Sequence, residues 1–208
     1  MFIIRFNKSV IVTYLGVIFG IISMYFAFSK MAFADIPYLR YSLIFLVLAG
    51  VCDMFDGKVA RMCKRSKEEK EFGIQIDSLA DTVNFLCLPV IIMLSLGMYG
   101  FIHILIYIIF IICGLSRLAF FNIHASLDNP VKHYKGLPVT STAVIYPVLG
   151  LFHGIISNNV FNLIYIIATF ITAILFIANI KIPKLKGIAY IIVPILATIL
   201  LFILLVLR

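Results

Sequence analysis

Charge is scarce in this chain: Asp, Glu, Lys and Arg make up only 12% of its 208 residues, against roughly 25% in a soluble domain. That shortage excludes a solvated shell around a separate soluble core. Hydrophobic residues reach 63%, and apolar runs of about twenty residues, the length that crosses hydrocarbon as helix, recur from one end to the other. They leave room for a single membrane domain over residues 1–208. The runs also lack the two-residue alternation of barrel strands, so the backbone must satisfy itself within helices. The expected fold is all-α, a polytopic helical membrane bundle of about seven transmembrane helices, with six to eight as the range.

Familiar metal and redox patterns are missing too. The four cysteines, Cys52, Cys63, Cys87 and Cys113, form no C-x-x-C pair, and most lie in apolar runs, where they read as small packing residues. The four histidines, His103, His124, His133 and His153, have no H-x-x-x-H spacing. Arg5 and Lys8 precede the first apolar run, and Ala32-Phe33-Ala34 resembles a cleavage site. The run from Val10 to Phe28 nevertheless exceeds a signal-peptide core of about 7–15 residues and reads as a retained span.

The periodicity and length of the apolar stretches give seven spans, at 10–28, 39–60, 74–96, 99–122, 139–157, 160–180 and 187–207. Two longer polar loops, 61–73 and 123–138, fall on one face. With the N-terminus inside, fourteen of the seventeen Lys and Arg residues are cytoplasmic and only Lys30, Arg40 and Arg208 lie outside, the bias expected of an inner-membrane topology. This distribution accounts for the net charge of +8 without nucleic acid and makes anionic membrane lipids the natural partner. Phe2 to Lys8 reads as a short amphipathic anchor on that surface.

Only nine acidic residues exist, yet Asp53, Asp56, Asp77 and Asp81 fall within or at the ends of two apolar runs. An aspartate at the centre of a spanning helix costs about 2.5–3.5 kcal/mol on insertion, so such residues face protein or water and mark function. Spacings of three and four put each pair on one helix face. Because the second span runs toward the cytoplasm and the third returns, both pairs meet near the cytoplasmic face. Four converging carboxylates repel one another unless cations intervene, and an all-oxygen set suits Mg2+ or Mn2+, one or two ions. Gly57 and Ala60 open the adjacent helix surface, and Arg61 offers a forked donor to phosphate.

Written out, the segment is Asp53-x-x-Asp56-Gly57-x-x-Ala60-Arg61, eleven residues, then Gly73-x-x-x-Asp77-x-x-x-Asp81. It closely resembles the motif of the CDP-alcohol phosphotransferase family, with a spacer longer than the usual eight or so residues. That spacer, Lys64 to Glu71, reads as a solvated loop or helical extension. Phe72 to Asp81, Ser116 to Asn122 and Lys135-Gly136-Leu137-Pro138 look like the phosphatidylserine synthase branch. The likeness covers about residues 9–145, making 146–208 a shielding or subunit-contact portion. Thr13 and Gly16 resemble an N-x-x-T-x-x-G element facing the nucleotide, although Val10 replaces its asparagine.

The resemblance implies a homodimeric enzyme of the cytoplasmic membrane that transfers the phosphatidyl group of CDP-diacylglycerol to L-serine and releases CMP. It implies that Asp53, Asp56, Asp77 and Asp81 bind two divalent ions, that Asp81 is also the general base, and that Gly57, Ala60, Arg61 and Thr13 face CDP-diacylglycerol. For the acceptor, a serine carboxylate calls for a cation near the metals. Arg117 is the first candidate, with Lys135 and the neutral groups of Asn122, Thr140 and Ser141 beside it. Glycerol 3-phosphate or an inositol phosphate would use the same basic rim. A divalent-metal transporter is the alternative of another class, but transport sites tend toward the midplane, whereas these acids cluster toward one face.

Overall fold

The computed structural model describes residues 7–33, 36–126, 133–183 and 189–206. Asn7 begins the first helix: its side chain accepts a hydrogen bond from the Ser9 amide at 3.0 Å and caps a short 3-10 turn, Lys8–Val10. Then follow α1 (Ile11–Phe33), α2 (Ile36–Met62), α3 (Lys67–Asp81), a π-helical turn (Thr82–Cys87) and α4 (Leu88–Ser95). After these come α5 (Phe101–Ser126), α6 (Thr142–Gly150), α7 (Asn158–Ile177) and α8 (Ala189–Val206). Since α3, the π turn and α4 run on without a break, the helices among the described residues form seven rods, one for each expected span.

Among the described residues, four stretches are both long and apolar enough to cross a membrane: Lys8–Phe33, Lys67–Ser95, Phe101–Ile123 and Asn158–Ile177. At 27 residues α2 has the length, but Asp53, Asp56, Lys58 and Arg61 charge its C-terminal part. The span expected at 139–157 is shorter in the structure. Its helical part, Val139–Gly150, is about 18 Å long at 1.5 Å per residue, and residues 151–156 turn instead. Conversely α3 begins at Lys67, so most of the polar spacer is helical. Large apolar side chains at Ile11, Leu15, Ile18, Tyr25 and Phe28 of α1 are exposed, a stripe suited to lipid.

Helices in lipid gain little from hydrophobic association, so close backbone approach and buried hydrogen bonds hold them together. The α1–α2 contact uses Gly16, where an added Cβ would stand 3.3 Å from the Cys52 Cβ. Deeper along the pair, the Ser23 hydroxyl donates to the Ser42 carbonyl at 2.6 Å. One turn along the same face, α1 receives Asn84 of the π turn, whose side-chain oxygen occupies the space a Cβ on Gly20 would need. Farther from the motif helices, Tyr165 donates to the Tyr146 carbonyl at 2.8 Å and Tyr146 to Thr169 at 3.1 Å.

The π turn has a cause in the sequence. Pro89 has no N–H, which deprives the Phe85 carbonyl of its ordinary helical donor four residues on. The Thr142 hydroxyl lies 3.1 Å from that carbonyl and 2.9 Å from the Val139 carbonyl, and its one proton serves either. This anchors the start of α6 to the rod carrying Asp77 and Asp81. At the end where α2 stops and α3 starts, β1 (His133–Lys135) pairs antiparallel with β2 (Lys181–Pro183). The pair is a small local departure from the all-helical expectation. Gly136 follows at φ +74°, and its amide donates to the Ile180 carbonyl at 2.9 Å.

Candidate metal centre

The sequence places Asp53 and Asp56 on one face of α2 and Asp77 and Asp81 on one face of α3, and the fold brings the two faces together. Carboxylate oxygens of Asp53, Asp56 and Asp77 all lie within 4.8 Å of one another. Asp81 meets the group through Asp53, whose carboxyl it approaches within hydrogen-bonding reach, and Asp56 and Asp77 approach each other in the same way. Asp56 and Asp81 are each only 8% exposed. Charges this close and this far from water repel strongly, and hard divalent cations with oxygen preference are the species that such a donor set fits. The residues present therefore suit Mg2+ or Mn2+.

Two neighbouring helices, α1 and α5, act on the cluster. From α1, the Thr13 hydroxyl donates to an Asp56 oxygen at 3.1 Å, so this side chain first orients a carboxylate. From α5, Arg117 acts electrostatically on Asp53; it is 8% exposed and lies over the Phe121 ring, 4.4 Å from its centre. One turn further along α5, Asn122 accepts a hydrogen bond from Ser78 at 2.8 Å. That bond ties the expected acceptor side to the residue after Asp77 and leaves the Asn122 amide nitrogen for other work. Ser141, in the 3-10 turn before α6, has a buried hydroxyl oxygen with no partner among the described residues.

The rim is formed where α2 ends and α3 begins. Gly57 leaves an open surface on α2, where the nearest group to an added Cβ is the Arg61 guanidinium at 3.7 Å; Ala60 is half-buried beside it. Lys135 belongs to β1, and its side chain lies outside the described residues, as do Lys132 and most of the expected anchor Phe2 to Lys8. One residue was missed by reading the spacer as solvated. Arg65 folds back so that its Nη1 stands 3.4 Å from where a Gly73 Cβ would be, with its Nε withdrawn from water. The only sequence signal for this is an arginine directly before a serine that can cap a helix.

Residues 6–207 match the family model described as CDP-alcohol phosphatidyltransferase. The chain is 35% identical over 127 residues to a CDP-diacylglycerol–serine O-phosphatidyltransferase of Saccharomyces cerevisiae, covering 56% of this chain and 44% of the yeast protein. It is also 35% identical over 107 residues to an archaetidylserine synthase of Methanothermobacter thermautotrophicus, covering 51% and 44% of the two chains. A Bacillus subtilis CDP-diacylglycerol–serine O-phosphatidyltransferase is 30% identical over 149 residues, 70% of this chain and 77% of that one. The chain thus spans less than half the length of the yeast and archaeal relatives. With the family model running almost end to end and the motif aspartates converging from two antiparallel helices, the chain belongs to the CDP-alcohol phosphatidyltransferase family.

Proposed function

We propose that the protein transfers the phosphatidyl group of CDP-diacylglycerol to the hydroxyl of L-serine, with CMP as the other product. The observation that carries this reading is the convergence of carboxylate oxygens from Asp53, Asp56 and Asp77 within 4.8 Å, with Asp81 against Asp53. The relatives bearing a serine phosphatidyltransferase name supply the choice of acceptor. A lipid-linked diphosphate also suits the location, because its acyl chains remain in hydrocarbon while its headgroup reaches the end of α2.

In the reaction, the serine hydroxyl oxygen forms a bond to the phosphorus that carries the diacylglycerol. The bond from that phosphorus to the oxygen bridging it to CMP breaks, and CMP leaves with the electron pair. Asp53, Asp56, Asp77 and Asp81 would hold the divalent ions, two in this reading, which supply charge neutralisation on the diphosphate oxygens. Asp81 accepts the hydroxyl proton. Thr13 keeps the Asp56 carboxylate turned inward through its 3.1 Å hydrogen bond. Arg61, over the open surface of Gly57, binds diphosphate oxygens in forked fashion. On the α5 side, Arg117 pairs with the serine carboxylate, and Asn122, held by Ser78, fixes the acceptor's orientation, with Lys135 of β1 as a further cation for the acceptor. Phosphoryl transfer rests mainly on this positioning and charge placement.

The lysine and arginine bias supports a site on the cytoplasmic side of the cell membrane, and the family resemblance is the support for reading the working unit as a homodimer. The acceptor is tested by CMP release from CDP-diacylglycerol in inside-out vesicles with Mg2+ or Mn2+, supplying serine, glycerol 3-phosphate or inositol phosphate separately. Release with serine alone is expected. Release only with another alcohol would replace serine, and cation flux without CMP would favour transport. The mass of the protein in lipid nanodiscs checks the dimer.

A further inference from the structure

Resting on the nucleotide-lipid reading above, we propose that Arg65 is a second diphosphate-binding arginine, seated opposite Arg61. Gly57 follows Asp53 by four residues on α2, and Gly73 precedes Asp77 by four on α3. Residues four apart share a helix face, about 6 Å apart along the axis. Each glycine therefore stands one turn outward from a carboxylate of the cluster, on the side where α2 ends and α3 begins. A guanidinium lies against each: Arg61 Nη1 is 3.7 Å from the position of a Gly57 Cβ, and Arg65 Nη1 is 3.4 Å from that of Gly73. Two forked donors thus flank the outward approach to Asp53 and Asp77.

Arg65 owes its place to the chain around it. The next residue, Ser66, caps α3 by accepting from the Glu69 amide at 3.2 Å, while the Glu69 carboxylate accepts from the Ser66 amide at 2.7 Å. This reciprocal cap fixes where the helix starts and hence where the Arg65 stem leaves it. Its Nε is removed from water and meets no hydrogen-bond acceptor among the described residues. A buried N–H without an acceptor is an unfavourable arrangement, and an incoming anionic oxygen relieves it. Forked N–H groups match phosphate oxygens. The ligand is the donor's diphosphate rather than the acceptor's carboxylate, because Arg61 and Arg65 approach from the α2–α3 connection while Arg117 approaches from α5.

The test measures CMP release against CDP-diacylglycerol concentration at saturating serine, then against serine at saturating CDP-diacylglycerol, for the wild type, Arg65→Ala and Arg65→Lys. Loss of a charge-assisted contact raises the KM for CDP-diacylglycerol by about ten- to a hundredfold in Arg65→Ala. Arg65→Lys falls between, and the serine KM stays within about twofold of wild type. A rise confined to serine, no change in either constant, or a defect that disappears when anionic lipid is added to the vesicles would each overturn the assignment. Equilibrium binding of CDP-diacylglycerol without acceptor separates this idea from the choice of alcohol. If the wild type binds it but serine gives no CMP, the serine reading fails, while weaker binding by Arg65→Ala still supports the arginine. Equal binding by wild type and Arg65→Ala overturns it.

Discussion

At the residue scale, the four motif aspartates differ in what their neighbours leave them to do. Asp56 accepts from the Thr13 hydroxyl, which orients its carboxylate, and Asp53 lies in the field of Arg117, so both are influenced by groups outside the motif. Asp81 is not among the three whose oxygens converge; it sits deeper on α3, against Asp53. That place suits a group that takes a proton from an incoming hydroxyl. Asp81→Asn keeps the shape and removes the basic oxygen, so CMP release should fall by roughly 10²- to 10⁴-fold while the variant still inserts and purifies as the wild type does. Activity close to wild type would remove Asp81 from proton transfer. The quartet was legible in the sequence because acids in apolar runs have no cheap structural explanation. Arg65 was not, because its seat depends on where α3 starts, and a charged octet around it looks like any solvated spacer.

At the element scale, the rod from Lys67 to Ser95 carries the second aspartate pair and breaks its α pattern directly after it. The Pro89 position was visible in the sequence, but its partner was not: Thr142 lies 57 residues from the Phe85 carbonyl it meets. The same holds for β1 and β2, three residues each and far apart in sequence, whose pairing no local pattern announces. The span expected over 139–157 shortened because Leu151 to Ile156 spend their polar backbone groups in turns such as His153 N–H to the Gly150 carbonyl at 3.1 Å.

Gly136 is the joint between β1 and the start of α6. Its φ of +74° disfavours any side chain by about 1–2 kcal/mol, and an added Cβ would also run into the Phe176 carbonyl. Gly136→Ala should therefore lower the midpoint of thermal unfolding, followed with a thiol-reactive dye on the four cysteines, and raise the KM for serine more than that for CDP-diacylglycerol. An unchanged midpoint would contradict this account of the joint.

At the scale of the whole molecule, the membrane character and the number of helical rods follow from composition and run length alone, since hydrocarbon leaves the backbone few choices. How the rods pack does not, because apolar side chains facing lipid and those facing protein look alike in sequence. The helices instead meet where small residues permit, as at Gly16 against Cys52, and where hydroxyls find carbonyls. That packing fixes α2 and α3 against α1 and α5, and so holds together carboxylates that would otherwise push their helices apart. Equilibrium binding of Mn2+ to the purified protein, followed by electron paramagnetic resonance, tests this most directly. The wild type should bind the ion, and Asp53→Asn and Asp77→Asn, one from each helix, should each weaken binding on the order of tenfold or more. Mn2+ binding that survives undiminished in the variant carrying both changes would contradict the shared site.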